Sequence, residues 1–138
     1  VLAGRGLFAL LGFPLLGEYF AALFCVIGHM FPVTAQFKGG KGILCSGTLL
    51  LMLDWRIALA GWGLFLLLWL TTRYVSLGSV AAAVSFPIST FFCFRTPSLT
   101  VLSLLIAGLV LWAHRGNIVR LLQGKESKFR WHGKEEKA

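Results

Sequence analysis

Acidic side chains are scarce in this sequence. It holds five Asp and Glu against thirteen Lys and Arg. Charged residues make up 13% of the chain, where a soluble domain usually carries about 25%. That balance excludes an ordinary soluble domain and disfavours any chemistry that needs paired carboxylates. Cysteine is equally thin. Cys25, Cys45 and Cys93 are odd in number, far apart and set in apolar runs, with no C-x-x-C pair. Structural zinc and a disulfide framework are therefore not indicated, and the three read as small buried hydrophobes. There is no initiator Met and no signal-peptide cleavage site in the opening "VLAGRGLFALLGF", which reads as a fragment or the product of an unusual start. No internal repeat or low-complexity segment stands out.

Apolar residues fill the space. The chain is 57% hydrophobic with a mean hydropathy of +0.81, which points to an integral membrane protein. Apolar segments lie at about 1–17, 19–33, 43–53, 57–72, 74–94 and 98–114. The expected fold is an all-α polytopic membrane helix bundle. It has about five spans, some short, after the end of a truncated one broken by Arg5, Gly12 and Pro14. Residues 1–115 read as the membrane-embedded domain and 116–138 as a basic tail. That tail begins as an amphipathic turn or two with Ile118, Leu121 and Leu122 apolar, and loses its pattern after Gly124, where disorder is expected.

The basic residues set an orientation. With the tail inside, Lys38, Lys41, Arg73 and the seven basic residues from Arg115 onward fall on the cytoplasmic side, and Arg56 and Arg95 fall outside. This ten-to-two asymmetry follows the positive-inside rule. Trp55 and Trp112 then serve as interfacial anchors, with Trp62 and Trp69 deeper. The tail faces lipid rather than nucleic acid. Three polar clusters reach the same face, whereas Glu18 and Asp54 fall on the other. A hydrolase with paired acids or a Ser-His-Asp triad is hard to build from such an inventory.

The first cluster is "GHMFPVTAQFKGGKGI". Gly39, Gly40 and Gly42 precede an apolar helix whose free amide groups point back at them, and Lys38 and Lys41 add charge. Such a set makes an anion cradle, or simply a tight positive-inside turn. It is not a nucleotide P-loop, because Ala35 and Gly42 stand where that motif needs Gly and Ser or Thr. His29 is either a packing residue or a catalyst. The second cluster, "TRYVSLGSVAAA", puts Ser76 and Ser79 on one helix face, where they bond back to the helix or serve a site. The third, "WAHRGNIVRLL", spaces His114 and Asn117 in the same way, as interface residues or as donors to phosphate or hydroxyl oxygens.

Taken in order and spacing, "GHMFPVTAQFKGGKG", "TRYVSLGS" and "HRGNIVRLLQGKE" resemble the bacterial acyl-phosphate:glycerol-3-phosphate acyltransferases from about residue 12 to residue 128. These are multi-pass inner-membrane enzymes of phospholipid synthesis. The resemblance implies acyl transfer from acyl phosphate to glycerol 3-phosphate, giving lysophosphatidate with no coenzyme A, no other cofactor and no metal. By motif, Lys38, Gly39, Gly40, Lys41 and Gly42 would hold substrate phosphate, with Lys41 the key charge. Ser76, Ser79, His114 and Asn117 would complete the pocket. It also implies membrane lipid and the enzyme that makes acyl phosphate as partners, and a cytoplasmic C-terminus. The base that takes the hydroxyl proton is His29, His114 or a substrate phosphate oxygen. The family's earlier stretch, of the type Gly-Ser-Gly-Asn-x-Gly-Ala-Thr-Asn, is not in this sequence, so the first two membrane helices are expected to be mostly missing. The rival expectation is a non-enzymatic membrane protein or an anion-transporter subunit. A transporter would carry polar groups near mid-membrane and often repeated halves.

Overall fold

A computed structural model describes residues 1–33, 36 and 39–129. Among them the chain is all-α, with seven helices and no strand: α1 (Leu2–Ala9), α2 (Pro14–Met30), α3 (Ile43–Leu53), α4 (Trp55–Thr72), α5 (Val75–Phe94), α6 (Pro97–Ala113) and α7 (Arg115–Leu122). The expected boundary between the first two apolar segments moves. Gly12, at φ +80°, turns the chain, and Pro14 opens α2 where its missing N–H costs nothing. Glu18 consequently lies inside α2, 1% exposed, with one carboxylate oxygen accepting from Arg5 Nη1 at 2.7 Å. At the α3–α4 corner, Asp54 accepts from the Arg56 backbone N–H at 2.8 Å. That cap starts α4 two residues earlier than apolarity alone predicts.

The five expected spans correspond to α2–α6. By length and composition, α4 and α5 are long and apolar enough to cross a membrane. α6 and α7, bent by 63° at their junction, make a third candidate when taken together. α3 has 11 residues and covers about 16 Å, roughly half of a ~30 Å hydrocarbon core. It is sheltered by packing on α2 and α4.

The core is built from helical stripes. Tyr19, Ala22, Val26 and Met30 recur at i, i+3 and i+4 along α2, and Leu99, Leu102, Ile106 and Val110 do so along α6; all are buried. Small residues let helices close: a Cβ on Gly78 would stand 2.8 Å from the Phe65 carbonyl oxygen of α4. The outer faces stay apolar, with Leu66, Leu67 and Leu70 of α4 and Leu104 and Leu105 of α6 exposed. Such faces suit lipid rather than water. Trp55 and Trp112 are exposed near helix ends, while Trp62 and Trp69 are half-buried. The cysteines depart from expectation. Cys25 is exposed on α2, and Cys45 and Cys93 are only partly buried, because an outward apolar face in a lipid-facing bundle carries the same hydrophobic pattern as a core.

Helix direction brings five ends together. The C-termini of α2, α4 and α6 and the N-termini of α3 and α5 meet at one end, and the Asp54–Arg56 corner and Arg95 lie at the other. The tail also departs from expectation. Gly124, at φ +66°, reverses the chain after α7, and residues 125–129 run back across the convergent end. There the Phe129 N–H donates to the Arg73 carbonyl at 2.8 Å, its ring meets Trp69 edge-on at 5.6 Å, and Lys128 Nζ stands 5.4 Å from the Tyr74 ring centre. Residues 130–138 lie outside the described part.

Candidate active site

The convergent end encloses an open cavity of about 1420 Å³. It is lined by His29, Gly40, Lys41, Gly42, Ser76, Ser79, His114 and Asn117, residues that the sequence spreads over 89 positions between His29 and Asn117. Of the remaining predicted residues, Gly39 is not in the lining, and Lys38 lies outside the described residues. Gly39 packs so closely on the end of α2 that a Cβ there would collide with the carbonyl oxygens of His29 and Met30. Gly42 caps α3 at φ +78°, a conformation that suits glycine. Together they fold the turn tightly enough to leave Lys41 beside the first amides of α3. A helix N-terminus and an ammonium group side by side attract an anion. His29 is exposed, its Nε2 against Gly40.

A hydrogen-bonded chain ties the clusters together. Lys41 Nζ donates to Asn117 Oδ1 at 2.6 Å. Asn117 Nδ2 and Ser76 Oγ both donate to Glu126 Oε1 at 2.7 Å, and Arg120 Nε pairs with Glu126 Oε2 at 2.7 Å. Sequence reasoning missed Glu126. It weighed Glu18 and Asp54 as the carboxylates and left Glu126 in a tail taken as loose. The signal was present at the end of the same "HRGNIVRLLQGKE" motif. Burial of the Glu126 carboxyl opposes ionisation. The donors Asn117, Ser76 and Arg120 outweigh it and hold the group down to about 2. Glu126 is thus a fixed anion, unsuited to proton transfer near neutrality. Ser79 Oγ bonds back to the Val75 carbonyl at 2.9 Å, the ordinary habit of a serine in a membrane helix.

His114 sits at the break between α6 and α7, buried. Its Nδ1 lies 2.8 Å from the Val110 carbonyl, which can only accept, so Nδ1 carries the hydrogen and Nε2 is left with the lone pair.

A second cavity, of about 400 Å³, adjoins the first and shares Ile43, Leu44, Val75 and Ser79 with it. It runs between α3, α4, α5 and α6 past Leu50, Trp62, Ala83 and Ile106, and its lining is almost wholly apolar. A polar chamber opening onto an apolar one fits a ligand with a charged head and a hydrocarbon tail.

The sequence model of the glycerol-3-phosphate acyltransferase family matches residues 1–124. The chain belongs to that family. A glycerol-3-phosphate acyltransferase of Prochlorococcus marinus (strain MIT 9301) is 42% identical over 113 residues, covering 80% of this chain and 57% of the relative. One of Geobacillus kaustophilus (strain HTA426) is 40% identical over 114 residues, covering 83% and 58%. The chain therefore spans a little over half the length of these curated relatives. Among solved structures it is similar to PlsY (YgiH), an integral membrane glycerol 3-phosphate acyltransferase, in its glycerol 3-phosphate form. That likeness has a TM-score of 0.80 at 33% identity, over 90% of this chain and 63% of that one. The lysophosphatidic acid form of PlsY matches equally well. Family membership agrees with the all-α membrane bundle and with the convergence of the three motifs on one cavity.

Proposed function

We propose that this chain carries the phosphate-binding and acyl-binding parts of an enzyme that transfers a fatty acyl group from acyl phosphate to glycerol 3-phosphate. The product is lysophosphatidate, released with inorganic phosphate. The observation that carries the reading is the adjacency of the two cavities: Lys41, Asn117, Ser76 and His114 line the polar chamber, and the apolar one adjoins it at Ile43, Leu44, Val75 and Ser79. The PlsY relative has been solved with glycerol 3-phosphate and with lysophosphatidic acid, a charged head joined in the second case to an acyl tail.

Lys38, Gly39, Gly40, Lys41 and Gly42 hold substrate phosphate through ammonium groups and the first amides of α3, and Ser76, Ser79 and Asn117 bond its oxygens and the glycerol hydroxyls. The glycerol hydroxyl oxygen attacks the acyl carbonyl, the carbonyl–phosphate bond breaks, and phosphate leaves with the electron pair. Phosphate is already a good leaving group, so positioning and charge neutralisation supply most of the acceleration, with no cofactor or metal required. The hydroxyl proton passes to His114 Nε2, whose tautomer the fold fixes. His29 at the rim and a substrate phosphate oxygen are the competing acceptors. The enzyme works at a bacterial inner membrane with its C-terminus cytoplasmic, drawing its donor from the enzyme that makes acyl phosphate. Radiolabelled glycerol 3-phosphate supplied with acyl phosphate to the purified full-length protein should yield lipid-soluble label. Label that stays wholly in the aqueous phase refutes the reading.

A further inference from the structure

The apolar cavity runs from the polar chamber along α3 and α5 as far as Leu53 and Phe86, and we propose that Phe86, backed by Tyr19, is the stop that sets how long an acyl chain can lie straight in it. This rests on the acyl-transfer reading above. Along the two helices that start at the polar chamber, the lining reaches as far as Leu53 on α3 and Phe86 on α5. From Ile43 to Leu53 is ten residues, and from Val75 to Phe86 eleven. At a rise of about 1.5 Å per residue, the two walls measure roughly 15 and 16 Å. An extended hydrocarbon with bonds of about 1.5 Å advances roughly 1.3 Å per carbon, so the cavity accepts about a dozen carbons beyond the polar chamber.

What makes Phe86 a stop rather than a movable wall is its backing. Its ring stacks on Tyr19 with centroids 5.9 Å apart. Tyr19 is 0% exposed, its hydroxyl is hydrogen-bonded to Thr90 at 3.1 Å, and Phe94 meets it edge-on at 6.4 Å. Rotating Phe86 toward Tyr19 would displace a ring held on two other sides, by Thr90 and Phe94, in an interior as close-packed as a crystal. The side walls are held as well, with Trp62 Nε1 donating to the Gly47 carbonyl at 3.1 Å. The carbons up to the stop are buried, and the remainder of a longer chain must leave sideways into lipid, where it gains nothing further.

Alkyl phosphates of graded length test this, because they bind without turnover. For the full-length wild-type protein in detergent, each carbon up to about a dozen should tighten binding roughly threefold to fourfold, and then the gain should level off. Phe86→Ala should move the plateau outward by about two to four carbons, and the milder Phe86→Leu should move it in the same direction. Ala83→Leu, one helical turn nearer the polar chamber, should pull it inward by about three carbons. Competition between acyl phosphates of two lengths should shift in parallel, a ratio that is independent of how much variant folds. A wild-type plateau that Phe86→Leu and Ala83→Leu leave in place overturns the stop while leaving the acyl site standing. Wild-type affinity that is flat with length overturns the acyl site itself.

Discussion

Lys41 and Glu126 face each other across Asn117, and their substitutions separate two functions. Lys41→Ala should remove a charge-assisted contact to phosphate worth about 2–4 kcal/mol in the transition state, a loss of roughly 30- to 1,000-fold in turnover. Lys41→Arg should also be poor, because a planar fork does not fit where a compact charge is wrapped by glycines. Lys125→Ala, in the returning segment 125–129 but outside the cavity lining, should be nearly silent at matched expression. Equal activity of Lys41→Ala and Lys125→Ala would reduce the glycine loop to a turn. Glu126→Gln keeps the shape but weakens the anion that orients Ser76, Asn117 and Arg120. Charge-assisted bonds of about 1.5–3 kcal/mol predict a loss of roughly 10- to 100-fold in kcat/KM. The carboxyl is depressed from near 4.5 to about 2. Its stabilisation is therefore complete above the ordinary carboxylate value and is lost as pH falls toward 2. Stability measured from about pH 5 downward should fall in the native protein and fall less steeply in Glu126→Gln.

Helix pairs respond to volume where they touch. Gly78 of α5 lies against the Phe65 backbone of α4, whereas a Cβ on Gly63 of α4 would meet nothing within 4 Å. Gly78→Ala should push the two helices apart and cost about 1–3 kcal/mol, since neither backbone can yield cheaply. Gly63→Ala adds helix propensity without a clash and should be neutral or stabilising by up to about 1 kcal/mol. Thermal unfolding of the two variants in one detergent gives the comparison. Similar midpoints for both would mean that α4 and α5 are not closed on Gly78 in solution.

For the whole molecule, the prediction is one of sidedness. All three polar motifs meet at a single cavity, and the basic asymmetry of the sequence predicts that this side is cytoplasmic. Cysteines introduced at Gln36, Thr72 and Gln123 should react with a membrane-impermeant reagent only from the cytoplasmic side. Labelling of any one from outside intact cells would invert or break the topology.

Hydropathy, turn residues and basic asymmetry were enough to read the helical class, the limits of α3, the start of α5 and the common face of Lys41, Ser76, Ser79, His114 and Asn117, because each depends on neighbours a few positions away. The helix break at Gly12 and Pro14 was visible in the residues but misplaced, since an apolar run hides a turn whose flanks are both greasy. The sequence alone also misjudged Cys25, because facing lipid and facing a core select the same side chains. Only the tertiary structure decided the fate of residues 125–129. Glu126 finds its donors on α5 and α7, Ser76 being 50 positions away, and no local pattern encodes a partner at that separation. The depth of the apolar cavity has the same origin. Phe86 becomes a stop only because Tyr19, from a helix far back in the chain, stands behind it.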